Sequence, residues 1–321
     1  MTSTIPAGGQ RQHRSETLLH EAAFYAGEDD FVRQMSAFVL DGVHAGEPVL
    51  VMIPGRKIGP LRDALGTDGA GVRFGDMNEI GRNPGRIISR WRDFCAEHAV
   101  SGRLARGIGE PIWAGRSRQE LVEAQRHEAL INLALLDARA WVVCPYDTTS
   151  LDDDVIDEAY RSHPIVSNGA TGGASDRYRS PSDVDRPFDD PLPDAPDAAD
   201  PLSITLDDLS LMRHRLAARA IAFGIDDDHT AALVLAVNEV MSNGLVHGEG
   251  AVTMRTWTES EDFVCEIRDE GLISDALVGR QRPQLGDPSG YGLWIANELC
   301  DLVQLRSGDA GSAVRLHMAR R

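Results

Sequence analysis

The chain has 321 residues, more than one ordinary domain needs, and sets 50 acidic against 32 basic residues for a formal net charge of -18. Such a surface repels a phosphate backbone, which argues against direct nucleic-acid binding. Cys95, Cys144, Cys265 and Cys300 are widely spaced and form no CxxC pair. Neither a zinc knuckle nor a secreted disulfide scaffold is indicated, and the four read as small buried hydrophobes of a reducing compartment. The opening stretch, residues 1–16, has no apolar segment of the signal-peptide kind and reads as disordered. No apolar run approaches the ~20 residues of a bilayer span. The expectation is a cytoplasmic protein with no membrane contact.

Elements follow in chain order. Residues 30–44 carry a helical pattern, 48–53 an apolar run with strand propensity, and 58–65 a second helix. Strand-like runs at 71–74, 104–113 and 140–144 alternate with helical patterns at 84–98, 117–136 and 151–161. This alternation predicts an α/β fold, a parallel sheet covered by helices, over residues 17–165. The P-loop pattern GxxxxGK[ST] is missing, and Gly55-Arg-Lys57 reads as a turn with exposed charge. Between Asp176 and Asp200 stand eight aspartates and five prolines with almost nothing apolar. Such a composition cannot offset its own ordering entropy, so 166–201 reads as an acidic, proline-rich, fairly extended linker.

Residues 202–321 form the second domain. A strand begins at Ser203, Asp207 or Asp208 caps a helix reaching about Phe223, and Gly224 fits the position where that helix stops. A long helix over 227–247 precedes strands at 252–258 and 263–269. A loop over 271–289, a helix over 291–300 and strands at 302–306 and 313–318 complete an α+β two-layer sandwich.

Three segments of this domain carry chemistry. Glu239-Val-Met-Ser-Asn243 lies on the long helix, where residues four apart share a face, so Glu239, Asn243 and His247 line up. Asp269-Glu-Gly271 closes a strand, and Gly290-Tyr-Gly292-Leu293 opens a helix. In this order they resemble the GHKL (Bergerat-fold) ATPase and kinase superfamily, and within it the anti-sigma-factor serine/threonine kinases. The resemblance implies ATP and Mg2+ as cofactors. It makes Asn243 the metal ligand, Glu239 the base that accepts a proton from the attacking hydroxyl, and Asp269 the acceptor of the adenine amino group. Gly271, Gly290 and Gly292 then let backbone approach base and phosphates, with Ser312 near the adenine. Arg280 and Arg282, between the motifs, are candidates to reach the γ-phosphate. The pattern departs from the family at Ile273, where a second glycine is usual, and at Tyr291, where arginine is frequent. His247 reads as a helix-end cap.

The first domain resembles the MEDS sensory domain, described as a RecA-like α/β module. The residues that carry this likeness are His20-Glu-Ala-Ala-Phe-Tyr25, Gly46-Glu-Pro-Val-Leu-Val51, Arg126-His-Glu-Ala-Leu-Ile-Asn132, Cys144-Pro-Tyr-Asp147 and His163-Pro164. His20, Tyr25, Tyr146, Asp147 and His163 are candidates to line a sensory pocket, though each taken singly reads as structural. His127-Glu128 superficially matches a phosphoacceptor box, but no dimeric helical hairpin directly precedes the ATPase domain.

The two resemblances together imply a signalling regulator. A sensory domain with a small-molecule ligand would control a kinase that grips a sigma factor and phosphorylates a STAS-type antagonist, with a homodimer as one assembly it admits. The alternatives are a non-catalytic nucleotide- or partner-binding regulator and, behind it, a histidine-kinase-like protein.

Overall fold

The computed structural model describes residues 5–6, 17–169, 171–179, 190–199, 201–247, 252–283 and 290–320. The chain divides into two compact units, residues 1–184 and 185–321. Apart from the short strand Ile5–Pro6, the stretch 1–16 expected to be disordered lies outside the described residues, as do 180–189 of the expected linker.

The first unit is built on one eight-stranded sheet. In chain order its elements are β1 (Ile5–Pro6), β2 (Leu19–Tyr25), α1 (Gly27–His44), β3 (Val49–Ile53), α2 (Gly55–Leu65), β4 (Arg73–Asp76), α3 (Met77–Ile80), α4 (Ile87–Ala99), β5 (Ala105–Gly109), α5 (Arg118–Ala134), β6 (Ala140–Asp147), α6 (Asp153–Ser162), β7 (Ile165–Ser167) and β8 (Thr171–Ala174). The spatial order is β1-β8-β7-β2-β6-β5-β3-β4. The strands from β7 to β4 run parallel, and β8 and β1 are added antiparallel. Strand alternation sends Ala22, Phe24, Val142, Cys144 and Tyr146 to one face, under α4, α5 and α6, with Trp91, Ile131 and Ala159 filling that layer. Ala23, Tyr25, Val51 and Val143 point the other way, onto Phe31, Met35 and Leu61 of α1 and α2. Both faces are therefore covered, as a parallel sheet requires.

Helix ends explain where these elements start. Ser117 and Glu120 form a reciprocal capping box for α5. Glu28, Asp29 and Asp30 place negative charge on the first turn of α1. Two expectations need correction. Residues 166–167 and 171–174, assigned to the linker, belong to β7 and β8 and extend the sheet. Lys57 is not exposed: it is buried, its Nζ 2.5 Å from Glu110 Oε1, which also accepts from Tyr25 Oη at 2.8 Å. An ammonium taken out of water persists only because this carboxylate and hydroxyl meet it.

The second unit comprises β9 (Leu202–Ile204), α7 (Leu209–Phe223), α8 (Asp227–His247), β10 (Val252–Glu259), β11 (Asp262–Asp269), α9 (Tyr291–Leu299), β12 (Leu302–Gly308) and β13 (Gly311–Ala319). The sheet is antiparallel, in the order β12-β13-β11-β10-β9. All three helices pack on one face, where Met212, Leu216, Val237, Met241 and Ala296 meet Met254, Cys265, Ile267 and Leu316. Helix α7 ends at Gly224 with φ 107°, the left-handed stop that residue allows.

The opposite face is crossed by part of the expected linker. Ala199 and Ala195 pack on Trp257 and Val264, Leu192 is buried, and Asp190 O accepts from Arg306 Nε at 3.2 Å. Pro193 O accepts from Arg315 Nη2. Residues 190–199 are thus a strap and not a free tether. They cover apolar surface that a two-layer sheet would leave in water, and their carbonyls satisfy two arginines.

Among the described residues no helix is long and apolar enough to cross a membrane.

Candidate functional site

Helix α8 buries Leu233, Val237, Val240 and Met241 in the core and leaves Glu239 and Asn243 half-buried, one turn apart. Its neighbour α9 is preceded by Gly290, whose φ of 97° lets the chain turn directly into the helix. Gly292 follows in the first turn. A Cβ on Gly292 would overlap Asn243 Nδ2 and come within 3.3 Å of Glu239 O. The first and last motifs are therefore in contact. The first-turn amides of α9 lack intrahelical acceptors, which is what suits a helix start to phosphate.

The second motif joins them through Gly244. A Cβ there would lie 3.2 Å from Asp269 Oδ2 and 2.9 Å from Val252 Cγ2. Gly311 makes room on the other side, since a Cβ on it would run into Asp269 O. Asp269 Oδ1 accepts from Gly271 N at 2.7 Å and holds the turn. Half-burial pushes the Asp269 carboxyl up from its usual range, and the Gly271 N–H offsets part of this.

Ser312 is buried and its hydroxyl is committed. It donates to Gly271 O at 2.7 Å and so accepts from Ser307 Oγ at 2.8 Å, which in turn accepts from Ile273 N at 2.8 Å. This relay fixes the turn 269–273 from below. Ile273 packs its side chain against the apolar core, so the position where relatives often have glycine is filled. In the loop before α9, Asn297 Nδ2 donates to Gly279 O at 2.9 Å. Arg280 is buried, and exposed Arg282 stands over the Trp294 ring at 5.6 Å. Residues 284–289, and the His247 side chain, lie outside the described residues.

The five residues singled out for a sensory pocket do not share one. Tyr25 lies with Lys57 and Glu110 on the α1/α2 face. Asp147 ends β6, where Oδ1 accepts from Thr149 N at 3.0 Å and Gly27 N at 3.3 Å. His20, Tyr146 and His163 stay together on the α5/α6 face. The rings of His20 and His163 are 4.0 Å apart, and Tyr146 is 5.6 Å from His163. Sequence reasoning missed what joins them, Glu128 and Cys144. His20 Nε2 is 3.2 Å from Glu128 Oε2 and 3.4 Å from Cys144 Sγ. Cys144 is thus no simple buried hydrophobe. Burial, then the neighbouring His163, pushes the His20 imidazole down to about 4. His127, beside Glu128, is 1% exposed on α5, which closes it to a phosphoryl donor.

With this geometry in place, comparison with known proteins is decisive for the two halves. Residues 19–164 match the MEDS family, the methanogen/methylotroph, DcmR sensory domain, and residues 202–318 match the histidine kinase-like ATPase domain. The chain is a MEDS domain followed by a histidine kinase-like ATPase domain. An ATPase domain of this class implies nucleotide binding. Among solved structures, the RsbU and RsbW domains of Rv1364c from Mycobacterium tuberculosis are similar at 18% identity and a TM-score of 0.29. The match covers 37% of this chain and only 32% of that one. No curated protein matches the chain.

Proposed function

We propose that the ATPase domain binds Mg2+-ATP in a GHKL (Bergerat) site and acts as a serine/threonine kinase of the anti-sigma-factor type, under control of the MEDS domain, in the cytoplasm. The observation that carries this reading is the convergence of Asn243, Asp269 and Gly292 through the close approaches at Gly292 and Gly244. Three motifs far apart in sequence meet at one place. On this reading the MEDS domain, with its doubly covered parallel sheet, is the RecA-like sensor of a small ligand. The partners are a sigma factor and a STAS-type antagonist, and a homodimer is the assembly.

Bound Mg2+-ATP supplies the transferable γ-phosphoryl group. The residues present suit it. Asn243 offers a neutral amide oxygen of the hard kind magnesium takes alongside water and phosphate. Glu239, one turn earlier, accepts the proton of the attacking serine hydroxyl. Asp269 accepts from the adenine amino group, and Gly271 keeps the backbone close to the base. Gly290 and Gly292 bring the amides of α9 to the phosphates. Ser312 acts through the turn, positioning Asp269 by way of Gly271 O. Burial of His127 speaks against the histidine-kinase alternative.

One observation favours a second reading, a non-catalytic nucleotide- or partner-binding regulator. Ile273 fills the glycine position and its N–H is spent on Ser307. Incubation of the full chain with labelled ATP and STAS proteins of the same genome separates the two. Phosphoserine on a STAS partner supports the kinase. ATP binding without transfer to any of them leaves the binding regulator.

A further inference from the structure

Four elements of the MEDS domain bring His20 (β2), Glu128 (α5), Cys144 (β6) and His163 (following α6) to one buried point, where one ligand atom from each lies within 4.8 Å of all the others. Three of these side chains are 0% exposed, and Cys144 is 2% exposed. The hydrogen bonds behind the two rings decide what the rings present in front. Asn132 Nδ2 donates to Ser162 O at 2.8 Å and Ala129 O at 3.2 Å, so its Oδ1 is the atom 3.1 Å from His20 Nδ1. That ring nitrogen carries the hydrogen. His163 Nδ1 faces Ala159 O at 2.9 Å, a pure acceptor, and carries its hydrogen there too.

In a neutral ring each Nε2 is then a bare lone pair. Both are aimed at the same carboxylate oxygen, His20 at 3.2 Å and His163 at 3.3 Å. Glu128 Oε1 and His163 Nε2 have no hydrogen-bond partner at all. Two imidazole lone pairs and a carboxylate facing one another repel, and a buried carboxylate is costly unless donors or a positive charge face it. A cation between them reverses every one of those signs.

We propose that His20, Glu128, Cys144 and His163 bind one first-row divalent transition-metal ion of the zinc type. A tetrahedral ion with bonds of about 2.0–2.3 Å sets its ligand atoms about 3.3–3.8 Å apart. The contacts of 3.2, 3.3 and 3.4 Å already approach that spacing. Mixed imidazole, carboxylate and thiolate donors suit zinc and its neighbours and not calcium or magnesium. Asn132 and Ala159 O are the outer partners that metal-bound histidines use to fix ring and tautomer. With four protein ligands and no exposed edge the site is closed, the arrangement of a structural or regulatory ion. No short motif announces it, because the ligands are spread from residue 20 to residue 163.

The test uses the full chain, stripped with chelator under reducing conditions and titrated with Co2+ as a spectroscopic probe. The expected result is one equivalent bound, with visible d–d bands and a near-ultraviolet sulfur-to-cobalt band, both displaced by Zn2+. Cys144→Ser, nearly isosteric, removes the sulfur band. Asn132→Ala, which touches no metal, weakens binding by about 10–100-fold. Thermal melting of each stripped variant confirms that it is folded. Failure of the wild type to bind Co2+ saturably, or an unchanged spectrum in Cys144→Ser, overturns the proposal.

Discussion

Asn243 and Gly292 occupy each other's space: the point where a side chain on Gly292 would begin is taken by the amide nitrogen of Asn243. Helices α8 and α9 can approach this closely only because residue 292 ends at Cα. Gly292→Ala must therefore move the amide or part the helices. The expected cost is about 1–3 kcal/mol in a urea melt, the usual penalty of overpacking, together with weaker ATP binding in calorimetry. Unchanged stability and affinity would show that the contact is slack.

Glu239 sits one turn before Asn243 on the same half-buried face. If it accepts the proton of the attacking hydroxyl, Glu239→Gln keeps ATP affinity and slows phosphate transfer to the partner by roughly 10²–10⁴-fold. Both quantities have to be measured. A variant that loses affinity and rate together places Glu239 in binding instead.

Asp269 has a raised pKa because it is half-buried. An adenine anchor works as the carboxylate, so nucleotide affinity is full above that raised value and falls as pH drops through it. Calorimetry from about pH 8 to about pH 5 should show the loss beginning above the ordinary aspartate range of about 4. Asp269→Asn should bind more weakly at every pH and lack that leg of the profile.

Much of this arrangement was legible in the sequence. Alternating patterns located most helices and most strands, and Gly224 marked a helix end with a left-handed residue as expected. The long helix was expected over the limits it has, Asp227–His247, as one sustained apolar helical run. What escaped was polar and buried. Strand β2 lies between β6 and β7, yet opens Leu19-His20-Glu21 and shows no apolar alternation. Its polar residues are matched by distant partners, Glu21 accepting from Trp141 Nε1 at 3.0 Å, and sequence does not show such matches. Lys57 was misread for the same reason, since its counter-charge is 53 residues away. The strap at 190–199 was misread because composition counts its aspartates and not the two arginines that hold its carbonyls.

Glu266, 1% exposed on β11, receives Arg315 Nε at 2.7 Å and Arg268 Nε at 2.8 Å. Burial alone would raise its carboxyl, but the two guanidiniums outweigh that and hold it below the usual range. With the folded pKa depressed, the stabilisation is complete above the unfolded value of about 4.3 and is lost as pH falls through the folded one. Glu266→Gln leaves Arg315 without its buried counter-charge, so a loss of about 3–5 kcal/mol is expected near neutral pH. The difference between variant and wild type should shrink on acidification, as urea melts at several pH values will show.

The central claim is that residues 202–321 hold magnesium-ATP through Asn243, and isothermal titration of the full chain with ATP, with and without Mg2+, tests it most directly. The account predicts saturable, magnesium-dependent binding by the wild type and far weaker binding by Asn243→Ala that melts as a folded protein. No binding by the wild type at saturating magnesium, or equal affinity in the variant, would contradict it.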